Sequence, residues 1–137
     1  MKREIKFRGK SEDNNEWVYG YFVDLNDGKE PNIFGDHNDF YPVIPETVGQ
    51  FTGIKDCKGQ DIYEGDIISI NGEHEKIVQY VDKEYGFCVA NISDLPNARW
   101  MYVWRRPAQN WWNDFNRKIE VIGNITDNPE LLNNNEL

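Results

Sequence analysis

Residues 62–90 read IYEGDIISINGEHEKIVQYVDKEYGFCVA, and this stretch has the pattern of an antiparallel β-meander. Its first strand, 67–70, is apolar and mostly β-branched, which is typical of a buried strand. Asn71-Gly72 then predicts a type I′ turn, because both residues tolerate positive φ. The rest of the predicted meander consists of a strand at 76–81, a turn at 82–86 and a strand at 87–90.

The segments before the meander also have strand periodicity. Ile5 and Phe7 alternate with polar residues in 4–8, and a polar turn separates them from a second alternating strand. This second strand places four apolar side chains on one face: Trp17, Tyr19, Tyr21 and Val23. We expect a hairpin here, a short strand at 47–52, and between them a long surface loop (24–41) containing at most one short strand.

The segments after the meander contain one further clear strand and weaker helical signals. Residues 119–125 place Ile119, Val121 and Ile125 on one face of a last strand. In 99–106, aromatic rings alternate with other apolar residues, and Pro107 ends the pattern. Residues 108–115 are compatible with one or two helical turns. Asn128-Pro129-Glu130 predicts the start of a short C-terminal helix.

Together these patterns predict an α+β fold that is mostly β. We expect a small antiparallel, barrel-like sheet with short helical additions near 108–115 and at the C-terminus, since closure hides the free edges of a small sheet. The chain has 137 residues and a mass of 16.1 kDa, which fits a single domain spanning 1–137.

Charge and hydropathy exclude several classes of protein. Fifteen basic residues against 24 acidic ones give a formal charge of −9, which opposes unaided binding to nucleic acid or to anionic membranes. No apolar run has the length of a membrane span, and no signal-peptide pattern is present. The two cysteines, Cys57 and Cys88, form no zinc motif, and nothing indicates the oxidising compartment that a disulfide requires.

One basic and aromatic segment contrasts with the acidic remainder. Residues 97–118 contain five cations and one acid, a net +4, so the other residues carry −13. The candidate interaction surface in this segment consists of Arg99, Trp100, Tyr102, Trp104, Arg105, Arg106, Trp111 and Trp112. Rings interleaved with arginine occur in protein interfaces and in single-stranded nucleic-acid sites. The same rings could instead fill a core while the arginines cover its rim.

Catalytic and metal-binding patterns are weak. Asp36-His37-Asn38-Asp39 offers metal-ligand types, but adjacent loop residues rarely converge on one ion. Glu64 and Asp66 could serve a metal-dependent phosphoesterase, although their spacing matches no reliable pattern. Neither histidine lies in a context that suggests a triad. We therefore predict no catalytic residue, no metal and no cofactor.

Five residues have a structural interpretation as turn formers: Gly59, Gly65, Asp66, Asn71 and Gly72. Gly65 permits a sharp bend before the 67–70 strand, and the Asp66 carboxylate can accept a backbone N–H there.

Three segments, read together, resemble the YopX-like proteins of bacteriophages and prophages. They are Ile5-Lys6-Phe7-Arg8 with Trp17-Val18-Tyr19-Gly20, then 47–56 running through Gly59 into 62–67, and finally 119–125 with 128–132. The resemblance covers most of the chain, except 26–41 and 91–116. It implies a small β-rich α+β protein that is barrel-like, self-associating and encoded in a phage or prophage, with no assigned activity. Taken together with the cysteine usage, this leads us to expect the protein in the cytoplasm of the bacterial host.

The leading hypothesis is a non-enzymatic phage or prophage accessory protein. It would act by self-association or by binding a host or phage protein through the Trp/Arg segment 99–112. The first alternative is a single-stranded nucleic-acid-binding module using the same segment, although the acidic remainder argues against nucleic acid as the partner. The second alternative is the metal-dependent phosphoesterase.

Overall fold

The computed structural model describes residues 4–35, 38–102 and 118–133. Extended backbone predominates in these ranges, as the alternating patterns predict. The strands are β1 (Phe7–Lys10), β2 (Trp17–Val23), β3 (Asn32–Phe34), β4 (Phe40–Pro42), β5 (Gly49–Lys55), β6 (Asp61–Tyr63), β7 (Asp66–Ile70), β8 (Glu73–Val81), β9 (Gly86–Asn91), β10 (Met101–Tyr102) and β11 (Ile119–Asn124).

The chain divides into two compact units, Met1–Gly53 and Ile54–Leu137. In the first unit the strand order is β4-β3-β2-β1-β5, and neighbouring strands in this order are antiparallel. Strand β5 continues across the boundary, since it ends at Lys55. The expected hairpin is the β1–β2 pair, in which Arg8 opposes Tyr19. The single-domain organisation stays a prediction.

The second unit contains an antiparallel sheet with the order β10-β9-β8-β7-β11. Every residue of β7 is buried, because apolar clusters cover both faces of this sheet. One cluster consists of Ile54, Ile62, Ile68, Ile70, Val78, Val89 and Ile119, and the other of Ile67, Ile77, Ala90 and Ile92. The predicted meander is the β7-β8-β9 part of this sheet.

The prediction of a closed, barrel-like sheet is wrong, because the structure has two open antiparallel sheets. Their edges are protected by other means. On β11, the Ile119 carbonyl accepts the Cys57 N–H, and the Asp56 carboxylate accepts the Val121 N–H. On β4, Pro42 has no N–H, and its carbonyl accepts the N–H of Glu12. A loop and a proline thus satisfy edge groups that closure would otherwise hide.

The predicted helical additions are not supported. In place of the expected short C-terminal helix, Pro129–Asn133 forms a five-residue 3-10 helix, the tighter form that is common in such short pieces. The other expected helix, 108–115, lies outside the described residues. Further 3-10 turns occur at Pro45–Thr47, Asp82–Glu84 and Ile92–Asp94. The 24–41 interval, expected to contain at most one short strand, includes β3 and most of β4.

Candidate functional site

The structure places only part of the Trp/Arg segment. Arg99 is exposed, whereas Trp100 is half-buried and packs against the cluster around Ile77. The backbone of Tyr102 pairs with Cys88 in the β9–β10 ladder. Trp100 therefore contributes to the core, which is one of the alternatives that the composition left open for these rings. The remaining candidates, Trp104, Arg105, Arg106, Trp111 and Trp112, lie outside the described residues.

The Tyr63–Asp66 turn is tied to the backbone. Asp66 is 1% exposed, and its carboxylate accepts the Tyr63 N–H at 2.7 Å. Gly65 has φ 94, its N–H donates to the Val78 carbonyl, and its own carbonyl accepts the Ile125 N–H. Glu64 accepts the Tyr80 N–H at 3.3 Å. These carboxylates hold strands in place, as turn carboxylates commonly do.

A second carboxylate organises the loop between β5 and β6. Asp56 accepts the N–H groups of Lys58 and Gln60 on one oxygen, each at 2.9 Å, and that of Val121 on the other at 3.1 Å. Gly59, with φ 84, completes the turn. The Lys58 ammonium lies 2.6 Å from a Glu120 carboxylate oxygen, and this hydrogen bond raises the pKa of Lys58. The loop is thereby fixed along the edge of β11.

The remaining turn residues also have positive φ. Asn71 and Gly72 have φ values of 55 and 76, as a type I′ turn requires. The Asn71 side chain accepts the Lys118 N–H at 2.7 Å, so the turn is anchored to the residue before β11. At the other end of β11, a Cβ on Gly123 would lie 2.5 Å from Asn128 Oδ1, which accepts the Asn124 N–H. The residues at both ends of β11 therefore have a structural role.

A row of four aromatic side chains lies on the sheet of the first unit, and three of them are exposed while Phe34 is half-buried. Alternation along β2 puts Tyr19 and Tyr21 on one face. Tyr21 opposes Phe34 in β3, and Phe34 opposes Phe40 in β4, so all four share that face. The Phe34 and Phe40 ring centroids are 4.8 Å apart at 57°. We call Tyr19, Tyr21, Phe34 and Phe40 the aromatic face.

The exposure of the aromatic face is high for rings of this size. Tyr21 is 66% exposed, Phe40 60% and Tyr19 47%. Exposed rings in a row are typical of binding surfaces, because large apolar area in water gains free energy when a partner covers it. Sequence analysis identified the β2 rings, but it missed Phe34 and Phe40, which lie in short strands of an irregular interval.

Among the described residues of the first unit, acidic side chains are more exposed to solvent than basic ones. The carboxylate residues described in 4–53 are all exposed: Glu4, Glu12, Asp13, Glu16, Asp24, Asp27, Glu30, Asp39 and Glu46. Of the four described cations in that range, only Lys29 is exposed. The Arg8 guanidinium lies 4.5 Å from the Trp17 ring centroid, and the Lys10 ammonium lies 5.0 Å from it. Among the described residues of 4–53, the charges that face solvent are therefore mostly negative.

The described residues offer little support for a metal site or for chemistry at a cysteine thiol. Among the residues placed by the structure, no group of three His, Cys, Asp or Glu side chains could hold a metal ion. Of the Asp36–Asp39 loop, Asp36 and His37 lie outside the described residues, and Asp39 is exposed. Both cysteines are free, and burial raises the pKa of the Cys88 thiol. The described ranges also contain no helix of the length and apolarity needed to cross a bilayer.

These features define a class of protein: it is mostly β and consists of two open antiparallel sheets. The side chains of its motif residues accept hydrogen bonds from its own backbone. The chain belongs to the YopX family, because the family model for YopX protein matches residues 6–133. The resemblance read from the three segments is thus confirmed. The fold is similar to the crystal structure of protein EF1440 from Enterococcus faecalis, with a TM-score of 0.61 and 21% identity over 96% of this chain and 99% of that chain. A search of curated proteins found no match.

Proposed function

We propose that this YopX family member is a non-enzymatic accessory protein of a phage or prophage. It acts in the bacterial cytoplasm by associating with further copies of itself or by binding another protein. The observation that carries the proposal is the aromatic face, where Tyr21 and Phe40 are each at least 60% exposed. Tyrosine and phenylalanine are enriched in protein interfaces, where burying a ring contributes much of the binding free energy.

The acidic motif residues support a binding role over a phosphoesterase. A two-metal hydrolase needs carboxylates that converge on an ion and are available to coordinate it. Asp66 is instead enclosed and accepts the Tyr63 N–H, while Glu64 accepts the N–H of Tyr80. We therefore do not propose hydrolysis at these residues.

The Trp/Arg segment 99–112 remains a second candidate surface for the same function. Trp100 packs on the core, whereas Arg99 is exposed. The aromatic face takes precedence because Tyr19, Tyr21 and Phe40 are all exposed in the described part of the chain. The formal charge of −9 also argues against single-stranded nucleic acid as the partner, since an acidic molecule repels phosphates.

Two measurements on the full chain test this function. Sedimentation velocity reports self-association, and cross-linking in lysate of the bacterial host reports bound proteins. We expect a complex in at least one of them, weakened about tenfold by the double variant Tyr21→Ala/Phe40→Ala. Tyr85→Ala is the matched control, since Tyr85 is 88% exposed but belongs to the other unit.

A variant of the second surface distinguishes the two sites. If Trp104→Ala/Arg105→Glu abolishes the complex and Tyr21→Ala/Phe40→Ala does not, the binding function stands and its surface is the Trp/Arg segment. A chain that stays monomeric and cross-links to no protein would contradict the function itself.

A further inference from the structure

We propose that the aromatic face binds a proline-rich segment of another protein in the polyproline II conformation, with prolines three positions apart resting on Tyr21 and Phe40. This inference depends on the proposed binding function and specifies the chemistry of the partner. Two observations carry it, namely the spacing of the rings across three neighbouring strands and the distribution of charge on the same face of the sheet.

Tyr21, Phe34 and Phe40 form one row across β2, β3 and β4. Tyr21 opposes Phe34 and Phe34 opposes Phe40, so the row runs across the strands rather than along them. The two outer side chains are 66% and 60% exposed, whereas Phe34 between them is half-buried. The row therefore presents two prominent rings that are separated by a less exposed one.

The spacing of the two outer rings matches one turn of a polyproline II helix. Neighbouring strands are about 4.8 Å apart, so Tyr21 and Phe40, two strands apart, are separated by about 9.6 Å. Three residues of polyproline II rise about 9.3 Å and complete one turn, so prolines at i and i+3 lie on the same side. An extended strand fits less well, because its side chains on one face repeat about every 6.6 Å.

A polyproline II segment also suits exposed rings chemically. It is preformed, so it loses little conformational entropy when it binds. Its carbonyl groups make no internal hydrogen bonds, and the hydroxyl of an exposed tyrosine such as Tyr21 can donate to one of them. Surfaces lined by aromatic side chains are the usual sites for proline-rich segments.

The cations on this side of the sheet lie against a ring of the same sheet. The register places Arg8 beside Tyr19 and Lys10 beside Trp17. The Arg8 guanidinium and the Lys10 ammonium both lie within about 5 Å of the Trp17 ring centroid, and Arg8 is only 7% exposed. Within the described strands β1–β5 no residue is acidic. The face therefore offers a partner mainly rings.

This distribution of charge favours an uncharged partner. A basic segment would meet Arg8 and Lys10 on the same face. An acidic segment or a nucleic acid would meet the field of a chain whose formal charge is −9, with both cations already stacked on Trp17. An uncharged proline-rich segment meets neither repulsion.

The test uses the full chain and fluorescently labelled ligands. Fluorescence anisotropy compares decaproline with a Gly-Ser repeat peptide of equal length and with an oligothymidylate. We expect saturable binding of decaproline only. Its affinity should stay nearly constant between about 0.05 and 0.5 M NaCl, because the complex contains no ion pair that salt could screen.

Variants test which rings carry the binding. Tyr21→Ala should weaken decaproline binding about tenfold, and Tyr21→Phe should retain most of it because the ring remains. Phe40→Ala should have an effect similar to that of Tyr21→Ala. Tyr85→Ala is the matched control, since Tyr85 is exposed but belongs to the other unit. Far-UV circular dichroism verifies that each variant is folded.

A pair of peptides tests the spacing on the unaltered chain. Both have the same length and the same numbers of proline and alanine residues. In one peptide the prolines occupy every third position, and in the other they occupy alternate positions. We expect the first to bind a few-fold more tightly, because only its prolines repeat with the turn of the polyproline II helix.

Four results would overturn the inference. They are absence of decaproline binding, binding that Tyr21→Ala leaves intact, equal binding of the two peptide spacings, and binding of the oligothymidylate in place of decaproline. The proposed binding function would still stand in each case if the chain self-associates or cross-links to a protein. That function fails separately, if the chain does neither.

Discussion

At the scale of single residues, Tyr85 is held in an unfavourable backbone conformation. It follows the Asp82–Glu84 turn with φ 55 and ψ 40, the left-handed region that bulky side chains avoid. Sequence analysis placed a turn at 82–86 and left open which residue would have positive φ. The structure puts it on the tyrosine rather than on Gly86, although the glycine would tolerate it at little cost.

We expect Tyr85→Asn to raise the free energy of unfolding by about 0.5–1 kcal/mol, because asparagine adopts left-handed φ more readily and Tyr85 is almost fully exposed. Tyr85→Ala should bring little gain, since alanine has the same backbone restriction. Urea unfolding of the three proteins checks this. An equal gain from alanine would show that conformation is not the cause.

The Cys88 thiol should make stability depend on pH. Burial raises its pKa above the ordinary 9.0, so the folded chain keeps the thiol neutral where the unfolded chain ionises it. Its contribution is full below the unfolded pKa and declines as the pH rises above about 9. We expect Cys88→Ala to flatten the fall in urea midpoint between about pH 8 and pH 10. Cys57→Ala, at an exposed position, is the control.

At the scale of elements, short segments depend on their neighbours. Strands β3 and β4 have three residues each, and neither has an alternating pattern long enough to be read from sequence. Contacts across them hold them together: Phe34 and Phe40 pair in the ladder, and their rings pack in a tilted arrangement. The longer β2 and the β7–β8 turn were predictable, since alternation and Asn71-Gly72 act locally.

The Asp56 loop provides an element-scale prediction. We expect Asp56→Ala to lower the free energy of unfolding by about 3 kcal/mol, because three backbone N–H groups, including that of Val121 in β11, lose their acceptor. Asp56→Asn should lose less, since one oxygen remains. Asp13→Ala, at an exposed loop position, should change little. Urea unfolding would refute this role if Asp56→Ala and Asp13→Ala were alike.

At the scale of the whole molecule, negative charge dominates. The formal charge is −9, and the carboxylates described in 4–53 all face solvent. Their mutual repulsion opposes the folded state, in which they are closer together than in the unfolded chain. Composition predicted this acidic character, but it did not predict which cations would be covered by rings.

We expect added NaCl, from about 0.05 to 0.5 M, to raise the thermal midpoint by screening this repulsion. The triple variant Glu12→Gln/Glu30→Gln/Glu46→Gln should be more stable at low salt and respond less to NaCl. An unchanged salt response in the variant would mean that these exposed carboxylates do not contribute to the repulsion.

Local patterns were enough to predict that the chain is mostly β and where its central meander turns, because alternation and turn preference act between residues close in sequence. The family was indicated separately, by the resemblance of three segments to known proteins. Local patterns could not show that the sheets stay open, that Trp100 joins the core or that Phe34 and Phe40 complete an exposed aromatic face. Those features depend on contacts between distant segments: Asp56 with Val121, Trp100 with the cluster around Ile77, and Tyr21 with Phe34. The free energy of such contacts exists only once the chain has folded.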